Sequence, residues 1–103
     1  MMYSKGDIVI IHFPFSDLIH AKKRPMVVLA AKGEDLIGCA ITSNPESDGI
    51  PVACSQGSLP FPSKIKHWQI HTFLRSLAVK KIARISAKTH EELLDSVHQL
   101  FRR

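Results

Sequence analysis

Ile8-Val9-Ile10-Ile11-His12-Phe13, Met26-Val27-Val28-Leu29-Ala30-Ala31 and Leu36-Ile37-Gly38-Cys39-Ala40-Ile41-Thr42 are the three runs that decide the fold. Each is apolar and shorter than the roughly ten residues a buried helix needs, and the first is β-branched almost throughout, so each reads as a strand buried on much of both faces. The punctuation agrees. Pro14 ends the first run, and a polar loop from Phe15 to Arg24 follows, carrying Ser16, Asp17, His20, Lys22 and Lys23. Pro25 fixes the entry to the second run. Lys32-Gly33-Glu34-Asp35 supplies turn chemistry before the third, and Ser43-Asn44-Pro45 breaks it. The pattern predicts antiparallel hairpins, the first with a long loop and the second with a tight turn.

Working outward, the Ser-, Gly- and Pro-rich stretch from Glu46 to Ser63 predicts loops around one short strand at Ile50 to Cys54. Lys64 to His71 alternates as a strand, with Ile65, His67, Gln69 and His71 on one face and Lys66, Trp68 and Ile70 on the other. Ala78 to Ile85 gives a further strand, with Lys80 and Arg84 on a common face. Thr89-His90-Glu91-Glu92 matches a capping box, and Leu93, Leu94, Val97, Leu100 and Phe101 recur at helical spacing behind it. The fold expected is mainly β (α+β): a small SH3-like β-barrel with a C-terminal α-helix, one domain over residues 1–103.

A chain of 103 residues suits a single core, and a 45% hydrophobic share excludes a disordered polymer. The net charge of +5 favours a polyanionic partner, because phosphate contacts dominate nucleic-acid affinity. Basic residues gather at Lys22, Lys23 and Arg24, at Lys64 and Lys66, and at Lys80, Lys81 and Arg84, enough to line a groove or simply to form a solvated surface. No apolar run reaches the roughly 18 residues needed to span a bilayer, and there is no signal-peptide pattern, so no membrane is expected and the location expected is cytoplasmic. Cys39 and Cys54 form no C-x-x-C pair and read as reduced core thiols. Of six histidines, only His67 and His71 share a predicted face, fewer than the three or four ligands zinc requires, so no metal is expected. Phosphate-cradling glycine loops, H-E-x-x-H and G-x-S-x-G are all absent.

What remains is a cation and a hydroxyl at strand ends, where a scaffold meets its ligand. Arg24 precedes the second strand and Thr42 closes the third, and pairing through the turn at 32–35 brings both near one sheet edge. A guanidinium offers a planar fork to phosphate oxygens and stays charged at any working pH, while a threonine hydroxyl can donate to a phosphate oxygen or a ribose hydroxyl. Each also has a plain structural reading, Arg24 as a solvated cation and Thr42 as a cap on the following turn. Trp68 reads equally as core or as contact surface.

Gly6-Asp7-Ile8-Val9-Ile10 through Phe13-Pro14-Phe15-Ser16-Asp17, then Lys22-Lys23-Arg24-Pro25-Met26-Val27-Val28-Leu29, resembles the opening of MazF/PemK-like toxins. That opening typically reads G-D-I/V-x-x-x-x-F-P-F-S/T-D followed by K-K/T-R-P-A-L/V-V. Ala40-Ile41-Thr42-Ser43 resembles the family's second signature, Ser76-Leu77-Ala78-Val79-Lys80-Lys81-Ile82 a later strand, and a closing helix is shared, so the resemblance covers nearly the whole chain. It implies a metal-independent endoribonuclease, without cofactor, that cuts single-stranded RNA by attack of the ribose 2′-hydroxyl and leaves a 2′,3′-cyclic phosphate and a 5′-hydroxyl. It makes Arg24 and Thr42 the catalytic pair. Lys22, Lys23, His20, Ser43, Lys64 and Lys66 are the candidates for holding RNA, with His12 and His20 as candidate proton acceptors. It further implies a cognate antitoxin and a homodimer. The competing reading is a non-catalytic SH3-like module that binds nucleic acid or protein, since fold alone does not set function.

Overall fold

Ile8, Val9 and Ile11 are all fully buried, which an alternating strand achieves only where the sheet is covered on both faces. The computed structural model, which describes residues 2–13 and 22–102, shows how. The strands are β1 (Asp7–Phe13), β2 (Lys22–Lys32), β3 (Asp35–Thr42), β4 (Ile50–Pro51), β5 (Cys54–Gly57), β6 (Lys64–Leu74) and β7 (Ala78–Ile85), followed by helix α1 (Ala87–Phe101). They form one antiparallel sheet in the order β4-β6-β3-β2-β1-β7-β5. Its two outermost strands, β4 and β5, are joined by Val52 and Ala53 alone, so the sheet must curl until its edges nearly meet. This is the expected barrel-like β fold with a closing helix.

One face of the curl collects Ile8, Val27, Cys39, Ile41, Ile65 and Ile85, with Leu93 of α1 packed on them. The other collects Val9, Ile11, Met26, Val28, Leu36 and Phe73, covered by Tyr3 and Leu77. Each fully buried aliphatic side chain contributes about 1.5–3 kcal/mol, so both faces matter to stability. The tight turn between β2 and β3 uses Gly33 at φ +57 followed by Glu34 at negative φ, the sign pattern of a type II′ hairpin.

Several sequence expectations shift. β2 starts at Lys22 rather than Met26, because Ile11, His12 and Phe13 pair with Arg24, Lys23 and Lys22. Pro25 is tolerated there because pairing with β3 begins only at Met26 and Ala40, leaving one edge of β2 open. The single strand expected at Ile50 to Cys54 is two strands, since Ile50 pairs with β6 and Cys54 with β7 at the other end of the sheet. The helix cap is Ser86, whose Oγ accepts the Thr89 N–H at 3.2 Å. Thr89 lies instead in the first turn, buried, its Oγ1 accepting the Ala53 N–H at 3.3 Å. On α1, Leu93 and Val97 pack on the barrel, while Leu94, Leu100 and Phe101 stay exposed, so the apolar stripe is wider than the face the sheet covers.

β7 also departs from its expected faces. Ile8 pairs with Ala83 but Val9 with Lys81, so the ladder skips Ile82 and the alternation reverses there. Lys81 and Arg84, rather than Lys80 and Arg84, converge on the buried Asp7 at 3.2 and 2.7 Å. Burial alone would raise the Asp7 carboxyl, but the Ser4 N–H, Lys81 and Arg84 together hold it below its ordinary range.

Candidate functional site

At one end of the sheet, β2, β3 and β6 meet the segment 59–63 around a cavity of about 480 Å³. Arg24 and Thr42 both line it. Met26 lies opposite Ala40, and continuing that antiparallel register by two residues sets Arg24 opposite Thr42 on the same face. Lys66 pairs with Ala40 from the other side and adds a second cation to the wall. The expected meeting of a guanidinium and a hydroxyl is therefore present, and it arises from strand register rather than from neighbouring positions in the chain.

The β6 side of the cavity depends on an irregularity that the alternation of residue types conceals. Ala40 pairs with Lys66 but Cys39 pairs with Ile70, so one step along β3 spans four along β6. The extra residues 67–69 reverse the face of everything after them. Lys66, Gln69 and His71, expected on opposite faces, consequently share the cavity, while Ile65 and Ile70 both pack in the core. His67 and His71 part company for the same reason: His67 sits in the bulge, where its carbonyl accepts the Cys39 thiol at 3.7 Å.

Thr42 is half-buried, and its Oγ1 accepts the Asn44 N–H at 3.2 Å. The turn-capping reading is thus correct, and it is compatible with a role in the cavity, because a hydroxyl that accepts through a lone pair still has its own proton to donate. Arg24 is exposed, and among the described residues no carboxylate pairs with it. Ser43 is exposed on the cavity wall. Lys64 does not line the cavity; its ammonium donates to the carbonyls of Pro45 and Ser47 at 3.3 and 2.7 Å, fastening the turn after Thr42. Lys22, Lys23 and His12 are exposed at the paired ends of β1 and β2, outside the cavity lining. His20, with the rest of residues 14–21, lies outside the described residues. Phe61, 66% exposed between Pro60 and Pro62, forms part of the wall, and no periodicity in its loop pointed to it.

The cysteines hold no disulfide and lie away from this chemistry. Burial pushes the Cys39 thiol up to about 12 and raises Cys54 as well, which keeps both in the unreactive protonated form. Among the described residues no three His, Cys, Asp or Glu side chains gather as metal ligands, and no helix is long and apolar enough to cross a membrane.

The model of the PemK-like, MazF-like toxins of type II toxin-antitoxin systems matches residues 4–101. The chain belongs to this family. Solved MazF structures share its fold. The MazE-MazF crystal structure (Form-II) from Deinococcus radiodurans aligns with a TM-score of 0.76 at 16% identity, covering 97% of this chain and 95% of that one. Mycobacterium tuberculosis toxin MazF-mt6 gives 0.72 at 17% identity, covering 92% and 95%. A mycobacterial endoribonuclease in complex with its cognate antitoxin gives 0.67 at 9% identity, covering 93% and 88%. No curated protein matches the chain. This MazF-like toxin therefore keeps the family fold at low sequence identity to these structures.

Proposed function

We propose that this MazF-like toxin is a metal-independent endoribonuclease that cuts single-stranded RNA in the cytoplasm. The observation that carries the reading is the convergence of Arg24, Thr42 and Lys66 on one face of one cavity. In-line attack by a ribose 2′-hydroxyl builds negative charge on the non-bridging oxygens of a crowded phosphorus, and such charge is best met by donors already in position. Arg24 serves as the clamp, its fork bidentate to those oxygens. Thr42, held by the Asn44 N–H, donates its hydroxyl proton to a phosphate oxygen or to the ribose. Lys66 neutralises an adjoining phosphate, and Ser43 extends the polar wall. Lys22 and Lys23 serve the incoming strand from the paired ends of β1 and β2, and His20 is retained as an RNA contact on the resemblance alone. Lys64 acts at one remove, by holding the turn that follows Thr42.

Family membership supports a cognate antitoxin as protein partner, as does the solved complex of a mycobacterial endoribonuclease of the same fold with its own antitoxin. The resemblance of the sequence to the family supports a homodimer, which sedimentation of the purified chain would test. For the reaction itself, end-labelled RNA of mixed sequence is incubated with the wild type, Arg24→Ala and Thr42→Ala in excess chelator, and the product ends are identified. Discrete cuts bearing cyclic phosphate, reduced about 10²–10³-fold in each variant, are expected. Salt-sensitive RNA binding without cutting, across substrates of varied sequence, would instead establish a binding module.

A further inference from the structure

The reaction proposed above needs a group to take the 2′-hydroxyl proton, and neither Arg24 nor Lys66 suits the task, because both are cations at neutral pH. His71 lines the same cavity, half-buried on β6 beyond the bulge. Among the described lining residues it is the one imidazole, and imidazole is the side chain whose ordinary titration falls between pH 5 and 8. His12, His67, His90 and His98 lie outside the lining. The ring of His71 leans on Phe73, with centroids 5.7 Å apart and planes tilted by 37°, and Phe73 is itself fixed in the core at 3% exposure. Its position across β3 is occupied by Gly38, which presents no side chain of its own beside the ring. The charged groups that share the cavity with it are Arg24 from β2 and Lys66 from its own strand; β3 and the 59–63 segment contribute none among the described residues.

We propose that His71 is the proton acceptor for the attacking ribose 2′-hydroxyl, an assignment that rests on the ribonuclease reading. The imidazole takes the 2′-hydroxyl proton as the 2′-oxygen bonds to phosphorus. The bond from phosphorus to the 5′-oxygen breaks, and its electron pair leaves with that oxygen, which takes a proton from solvent water. The imidazolium then returns its proton to solvent, so protons and electrons balance without an external oxidant or reductant. Arg24 and Thr42 hold the phosphate during this exchange.

The test measures single-turnover cleavage from pH 5 to 9, in chelator and at saturating RNA, for the wild type, His71→Ala and His71→Gln, with RNA affinity measured separately. Wild-type rate should rise with pH through the range in which imidazoles lose their proton. Both variants should fall about 10²–10⁴-fold and lose that rise, with affinity within threefold of wild type, and added free imidazole should restore part of the His71→Ala rate. A variant that cleaves at the wild-type rate with the rise intact overturns the assignment, as does a defect that saturating RNA abolishes. A flat wild-type profile overturns it without any variant, which covers the case of substitutions that fail to fold. Wild-type protein that cuts no RNA overturns the ribonuclease reading, whereas a cutting wild type with indifferent variants removes His71 alone.

Discussion

Replacing Asp7 by Asn removes the negative charge on which two cations converge while nearly preserving side-chain shape. The Asp7 side chain is 4% exposed; its Oδ2 accepts the Ser4 N–H at 2.8 Å, and its Oδ1 faces Arg84 at 2.7 Å and Lys81 at 3.2 Å. Hydrogen bonds to charged groups contribute about 1.5–3 kcal/mol each, but both cations are more than a third exposed and regain water when released, so about 1 kcal/mol each is the better figure. With the weakened Ser4 bond, the expected loss is about 2–3 kcal/mol, which for a domain of this size lowers Tm by roughly 10–20 °C. The pH dependence supplies the sharper test. The folded Asp7 carboxyl titrates below its ordinary range, so its contribution is complete above the unfolded value of about 3.9 and is lost as pH falls through the lower folded value. Urea unfolding of wild type and Asp7→Asn from pH 7 to pH 2.5 should therefore show a gap that is constant at neutral pH and closes in acid. A gap below about 0.5 kcal/mol at pH 7, or one that persists unchanged at pH 2.5, would refute the reasoning.

Phe61→Ala should weaken single-stranded RNA binding by about 1–3 kcal/mol with the salt slope unchanged, because an exposed ring at the cavity wall offers a face on which a base can stack; fluorescence anisotropy at several salt concentrations reads both quantities. Lys66→Ala should weaken binding and also lower the slope of log K against log salt by about 0.7 through the loss of one phosphate contact, in the same assay. Gly38→Ala should cost about 1–3 kcal/mol in urea unfolding, since its Cβ would stand 2.8 Å from the Met26 side chain and closer still to the Val27 carbonyl. Cys39 should resist a thiol-specific disulfide reagent at pH 8 in the native protein and react once it is unfolded, as expected of a buried thiol raised to about 12.

Local chemistry determined much of this protein in advance. The apolar runs at residues 8–13, 26–31 and 36–42 are strands because β-branched and apolar residues pack on a pleated, covered surface, and Gly33 and Pro45 punctuate them through backbone geometry that needs no tertiary context. That Arg24 and Thr42 approach one sheet edge was legible for the same reason, since a tight hairpin pairs their strands, but the register of the turn alone would set Arg24 opposite Ser43, and the bulge at Leu29 shifts the pairing by one residue to Thr42. The choice among competing local signals belonged to the tertiary structure. Ser86 displaced Thr89 as the helix cap because β7 holds the backbone through Ile85, and the helix begins at once beyond it. Ile50 to Cys54 divided because each half found a partner at a different end of the curled sheet. The bulges at residues 67–69 and at Ile82 are pairing events between strands distant in sequence, and each reverses the side-chain alternation from which faces are read. They take Lys81 out to Asp7 and bring Lys66, Gln69 and His71 into one cavity. A side-chain period of two carries no warning of a register shift, because the shift is made by the neighbouring strand.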